Sequence, residues 1–141
     1  MKTVPVITDN IAELLMKILE FTSFRHKILA DNIKNIDSEG FCPQDLAVEE
    51  FSSILNSAIT EHCQNNRLLL FDTSSIKFGE RGSVSATAEP DLGAKEMLES
   101  NHDEYLESQL TKLLENTLNQ KIARELLCHH QNICPSELLK K

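Results

Sequence analysis

Residues 10–36, NIAELLMKILEFTSFRHKILADNIKNI, decide the fold. Ile11, Leu14, Leu15, Ile18, Leu19, Phe21, Ile28, Leu29, Ile33 and Ile36 recur mostly at three- and four-residue steps. That spacing puts them along one side of an α-helix and gives a strand no consistent face. Asn10 with Glu13 three residues later has the N-cap and N3 pattern that satisfies free backbone amides, and Gly40 supplies a stop beyond Ile36. The segment 11–36 is therefore expected to be a helix, with Asn10 as its cap. A single helix cannot hide its own stripe, so another element has to cover it.

Working outward, Asp37-Ser38-Glu39-Gly40 reads as a turn, and Asp45 as the cap of a second helix over 45–64. That helix carries Leu46, Phe51, Ile54, Leu55, Ala58 and Ile59 on one side. Residues 67–102 change character: short apolar runs at Leu68–Phe71 and Ile76–Phe78 alternate with Ser, Thr and Gly, which reads as an irregular loop or weak β-hairpin. Pro90 can open a short helical piece through Leu98, and Ser100-Asn101-His102-Asp103 can cap the next helix. The last segment, 103–132, is a long helix in which Leu106, Leu110, Leu113, Leu114, Leu118, Ile122, Leu126 and Leu127 form the stripe expected to be buried. The fold class is therefore mainly α: one domain over 1–141, with two long amphipathic terminal helices, a middle helix and a variable middle.

With 141 residues the chain has room for one modest core. Aromatic residues make up only 5%, so that core rests on Leu and Ile. Twenty-two acidic residues against 14 basic give a net charge of −8, which repels phosphate backbones and argues against nucleic acid as a partner. No run approaches the roughly 20 apolar residues of a membrane span. The start, MKTVPVITDNIAELL, lacks the apolar centre of a cleaved secretory signal. Cys42, Cys63, Cys128 and Cys134 are too dispersed for a disulfide scaffold and are expected to be mostly thiols. Cys128-His129-His130 with Cys134 has soft ligands but no CxxC pair, and Pro135 closes the segment, so no metal is expected.

Arg25-His-Lys-Ile-Leu29-Ala30-Asp-Asn32-Ile33-Lys-Asn35-Ile-Asp-Ser38-Glu39-Gly40-Phe41 resembles the N-terminal signature of flagellar basal-body rod and hook proteins. That signature runs approximately R-x-x-x-L-A-x-N-I-A-N-x-x-T-P-G-Y. Arg25, Leu29, Ala30, Asn32, Ile33, Asn35 and Gly40 match it, Ser38 and Phe41 match conservatively, and Lys34 and Glu39 depart from its Ala and Pro. Near the other end, Leu106 to Leu118 is similar to the family's closing helix, L-D-x-E-M-x-x-x-A-E-N-x-x. There Glu115 and Asn116 are unchanged, while Gln109 and Leu110 replace Glu and Met. The two blocks cover about half of the chain, and the short stretch between them is most similar to the proximal rod subunits.

The resemblance implies a non-enzymatic structural subunit of the basal-body rod that contributes to motility. Such a subunit leaves by the flagellar type III export apparatus without a cleaved signal and reaches the periplasm. It assembles with itself and with other rod subunits through coiled-coil pairing of its terminal helices. No cofactor and no small-molecule substrate are implied. Asn32, Asn35 and Asn116 lie beside the stripes, where they are expected to specify helix register between subunits; the simpler alternative is that each satisfies a local backbone group. The residues themselves offer no catalytic set: His62 and Cys63 point about 100° apart on a helix, and Gly79-x-x-Gly82 lacks the rest of a phosphate loop. The rival function is a cytoplasmic acidic helical export chaperone or adaptor that holds an amphipathic client helix.

Overall fold

The computed structural model describes residues 9–131. In chain order these form α1 (Asn10–Lys34), β1 (Gln44–Asp45), α2 (Val48–Asn65), β2 (Ile76–Phe78), β3 (Val84–Ala86), β4 (Glu89–Pro90), α3 (Leu92–Ser100) and α4 (His102–Gln131). The mainly helical class expected from the periodicities holds, and the two terminal helices are its longest elements. Residues 1–8 and 132–141, and with them Cys134 and the end of the expected last helix, lie outside the described residues.

Local chemistry moved two boundaries. Asp9, not Asn10, caps α1: its carboxylate accepts from the Ala12 amide at 2.8 Å. The carboxylate satisfies the first-turn amide directly, and Asn10 becomes the first helical residue, its side chain 3.1 Å from His62 Nδ1 on α2. Asp45, expected to cap the second helix, is instead held by Arg25; α2 starts at Val48 after Ala47, which gives no side-chain cap. A guanidinium that binds both carboxylate oxygens outcompetes a single capping amide. At the later boundaries, Asp91 caps α3 through the Ala94 amide, and Asn101 Oδ1 accepts from the Glu104 amide at the start of α4.

α1 and α4 lie antiparallel, as the order of their contacts shows. Ala12 and Leu15 cluster with Ala123 and Leu127, the Thr22 carbonyl meets Asn116, and Asn32 meets Gln109. On the other side of α1, Phe21 stacks on Phe51 of α2 with ring centroids 3.8 Å apart. This pair anchors a core with Leu46, Ile76 and Ala86, so the β2–β3 hairpin and α2 share one face of α1 while α4 takes the other. A third cluster, Ala94, Leu98 and Tyr105, joins α3 and the start of α4 to Ile36 and Phe41. The turn between α1 and β1 reverses at Gly40, whose φ of +76° is a left-handed conformation that glycine adopts without strain.

The weak hairpin expected in the middle is real but small: β2 and β3 pair antiparallel, with Lys77 opposite Ser85. Its tip is fastened by Lys17, a fully buried lysine of α1. The ammonium donates to the carbonyls of Gly79 at 3.0 Å, Arg81, and Ser83 at 3.4 Å, with the Glu13 carboxylate 3.7 Å away. Gly82 allows the tip this close approach, since a Cβ there would sit 2.9 Å from Met16 Cβ. β1 and β4 form a second two-stranded ladder that ties the start of α2 to the start of α3.

Replacing Lys17 with Met leaves its carbonyl acceptors without their donor, so Lys17→Met is expected to lower stability by about 1 to 3 kcal/mol. The same substitution should speed amide exchange across 76–86 far more than in the middle of α4. Exchange unchanged in the hairpin would show that the lysine does not fasten it.

Candidate functional site

The residues singled out in the first signature divide by helix face. Arg25, Leu29 and Asn32, at steps of four and three, share the side of α1 that is closed off from solvent. Arg25 Nε and Nη2 each donate to Asp45 at 2.8 Å. Seven residues on, Asn32 acts as a strand partner for β1: its amide donates to the Gln44 carbonyl at 2.7 Å, and its carbonyl accepts from the Gln44 amide at 3.1 Å. Together the two side chains strap 44–45 across the helix. Ala30 and Ile33 are half-buried, and Phe41 packs on the Tyr105 cluster. Asn35 binds the Asp31 carbonyl one turn back and accepts from the Ser38 hydroxyl, closing the helix end.

From α4, a line of polar groups meets α1. Gln109 Oε1 accepts from Asn32 at 2.9 Å, the Tyr105 hydroxyl donates to the Asn32 carbonyl oxygen at 2.8 Å, and Asn116 donates to the Thr22 carbonyl at 2.8 Å. Gln109 is fully buried, yet its Nε2 has no hydrogen-bond partner among the described residues. The asparagines expected to set register between subunits thus find their partners inside the chain. Asn32 and Asn116 specify how α4 lies on α1, and Asn35 caps, because each amide reaches a backbone carbonyl on a neighbouring element or one turn back.

A charge relay flanks this seam. Lys112 of α4 lies 2.7 Å from Asp91 and 3.8 Å from Asp45, so Arg25, Asp45, Lys112 and Asp91 alternate in sign across α1, β1, α4 and the cap of α3. Burial raises the Asp91 carboxyl, but the Lys112 ammonium and the Ala94 amide outweigh it and hold the group below the ordinary aspartate value. None of Lys112, Asp91 or Tyr105 belongs to the sequence signature. Their only trace in the sequence is that Tyr105 is the sole tyrosine of the chain.

The expected stripe of α4 divides: Leu127 is buried against α1 as expected, Leu106 and Leu113 are half-buried, and the other five turn outward. Leu110, Leu114, Leu118, Ile122 and Leu126 are exposed, Leu114 to 66%, while Tyr105, Gln109, Asn116, Ala123 and Leu127 face α1. Leu110 and Leu118, expected inside, therefore lie on the outer surface, and Glu115 is exposed beside them. Leucines four residues apart advance about 40° beyond a full turn at each step, so they drift off any one face. The residues that stay against α1 follow the seven-residue spacing of Gln109, Asn116 and Ala123, whose side chains are polar or small.

Between α1, α2 and α4 lies an open apolar groove of about 280 Å³, with Ile18, Phe21, Val48, Leu55, Ile122 and Leu126 in its walls. Elsewhere, His130 meets Asp9 at 2.7 Å, joining the end of α4 to the start of α1, and His129 is exposed. Cys42 is half-buried, Cys63 exposed and Cys128 buried. Among the described residues no group of three or more His, Cys, Asp or Glu is gathered as a metal ion would require. None of their helices is long and apolar enough to cross a membrane. No family model, curated protein or solved structure matches the chain.

Two outcomes are expected at the seam. Asn32→Leu strands both backbone groups of Gln44 and the Gln109 carbonyl oxygen, and should lower stability by about 2 to 5 kcal/mol in chemical denaturation; a neutral result would return Asn32 to a role between chains. Burial, with the nearby Asp91 charge, pushes the Tyr105 hydroxyl up to about 12. A hydroxyl whose folded value lies above its unfolded value contributes stability fully below pH 10, and loses it as pH rises from 10 towards 12. The chain has one Tyr and no Trp, so phenolate absorbance follows this group alone. A folded-state midpoint at the ordinary tyrosine value would contradict its burial against Asn32.

Proposed function

We propose that the chain is a non-enzymatic structural subunit of the bacterial flagellar basal-body rod, of the proximal rod type. One observation carries this reading: α4 is already paired with α1 through Gln109, Asn116, Ala123 and Leu127, and still presents a row of exposed apolar side chains, Leu110, Leu114, Leu118, Ile122 and Leu126. Apolar rows of that extent on a folded chain mark contact surfaces. The row includes Leu110 and Leu118, which fall in the segment similar to the closing helix of rod proteins. The signature residues of α1 hold the fold together, and the closing-helix leucines are left over for assembly. In this reading the subunit crosses the inner membrane through the type III export apparatus and joins neighbouring rod subunits in the periplasm.

The groove between α1, α2 and α4 favours one other reading, an export chaperone or adaptor in the cytoplasm whose client lays the apolar side of a helix there. Location and stoichiometry separate the two. Mass spectrometry of purified basal bodies after cell fractionation should find the chain in the rod at several copies; a cytoplasmic chain in a one-to-one complex with an export client would establish the chaperone instead.

Leu110→Gln and Leu118→Gln change exposed positions and should alter monomer stability by no more than about 0.5 kcal/mol, while abolishing incorporation and motility. Leu29→Ala, at a fully buried position, should instead cost about 2 to 5 kcal/mol of stability. Normal motility with both leucines replaced would remove the basis of the proposal.

A further inference from the structure

At the start of α1, histidines from two other helices meet two neighbouring residues. Asp9, the cap, uses one carboxylate oxygen for the Ala12 amide at 2.8 Å and turns the other to His130 Nε2 of α4 at 2.7 Å. Asn10, next in the chain, turns its amide nitrogen to His62 Nδ1, in the last turn of α2, at 3.1 Å. The last turns of α2 and α4 are therefore both fastened to the first turn of α1, and each fastening passes through an imidazole.

The two contacts ask opposite things of their histidines. A carboxylate only accepts, so His130 must bring a hydrogen on Nε2. The neutral ring does this when its hydrogen sits there, and the imidazolium does it more strongly because the bond then joins opposite charges. An amide nitrogen only donates, so His62 must offer Nδ1 as a bare acceptor, and an imidazolium has no bare nitrogen. Turning the amide over does not restore the contact without loss. The same nitrogen lies 3.5 Å from the Asn66 carbonyl oxygen, and a turned amide would set oxygen against oxygen there. Protonation thus strengthens one fastening and breaks the other.

The charges around this corner hold steady while the histidines change. The Ala12 amide, together with His130, keeps the Asp9 carboxyl below the ordinary aspartate value, and Arg67 keeps Glu61, the neighbour of His62, below the ordinary glutamate value. In the first turn of α1 the other acid is Glu13, 3.7 Å from the Lys17 ammonium. On α4, Glu125 and His129 are exposed beside His130. Between about pH 5 and 8, histidine is the ordinary side chain that changes charge.

We infer that the start of α1 is an acid-operated switch: protonation of His62 frees the last turn of α2 from Asn10, and protonation of His130 draws the last turn of α4 onto Asp9. Both contacts are independent of the rod reading, so either can fail without the other.

Amide exchange of the full chain, expressed at each pH as protection relative to the unstructured rate, tests the switch. From about pH 8 to about pH 5, protection of residues 62–66 should fall about two- to tenfold, the worth of one hydrogen bond. Over the same range, protection of residues 127–131 should rise by up to about fivefold, as an exposed ion pair gives. His62→Gln should abolish the first response and leave the second; Asn10→Ala, which removes the other side of that contact, should do the same if the glutamine perturbs α2. His130→Gln should abolish the second response and leave the first, and so should Asp9→Asn, which keeps a good helix cap. Opposite responses in the parent are required: the same sign in both turns, a response in one turn alone, or protection that is flat with pH overturns the inference. Either response surviving the loss of its own histidine overturns it as well.

Discussion

The antiparallel seam between α1 and α4 is the constraint on which everything else in this chain depends. It is closed at intervals by polar groups that accept only one alignment: Asp9 to His130 at one end, Thr22 to Asn116 in the middle, and Asn32 to Gln109 and Tyr105 at the other. A purely aliphatic seam tolerates sliding by a turn, because leucine packs nearly as well on the next leucine. Here a slip of one turn breaks the buried hydrogen bonds of the middle and of the Asn32 end, and each broken bond leaves an amide or carbonyl without water. Alignment is secured by polar groups at some expense of apolar burial.

Once the seam is set, α1 organises the rest from its remaining faces. Arg25 and Asn32 hold β1, Phe21 receives α2 through Phe51, and Lys17 holds the tip of the β2–β3 hairpin. Lys112 then returns from α4 to Asp91 and Asp45, so the strap over α1 and the cap of α3 share one charge network. Between the terminal helices only α2 is long, and its Phe51 shares one core with Leu46, Ile76, Ala86 and Phe21 of α1. The strands take their positions both from side chains of α1 and from that shared core.

The sequence was legible where periodicity and burial agree. The stripe of α1 announced its helix, Asn101 its neighbour's cap, Gly40 its reversal, and the Ser- and Gly-rich middle its small hairpin. It misled where two good partners competed for one group. Asp45 looks like a cap from its neighbours alone; only folding brings Arg25 to it from twenty residues away. Most of the α4 leucines misled for a different reason: hydrophobicity identifies a surface that avoids water but not which helix covers it, and inside this chain the side of α4 with Tyr105, Gln109, Asn116 and Ala123, together with Leu127 of the expected stripe, took the contact with α1. Lys17 was invisible for the same reason. Nothing in a string of letters says that three carbonyls of a distant turn converge on one ammonium.

Towards the Asn32 end the seam holds amides and a phenol beside apolar side chains: Leu29 is fully buried there, and Tyr105 packs with Ile36 and Phe41. Parting α4 from α1 along that stretch exchanges protein hydrogen bonds for water hydrogen bonds and uncovers those apolar side chains as well. The unpartnered Nε2 of buried Gln109 offsets part of that cost, because it gains a hydrogen bond to water as soon as the stretch parts. The two ends of this helix pair therefore differ in chemistry: the end near Ala12 and Leu127 is closed mainly by aliphatic contact, and the end near Asn32 and Tyr105 by hydrogen bonds set among apolar side chains.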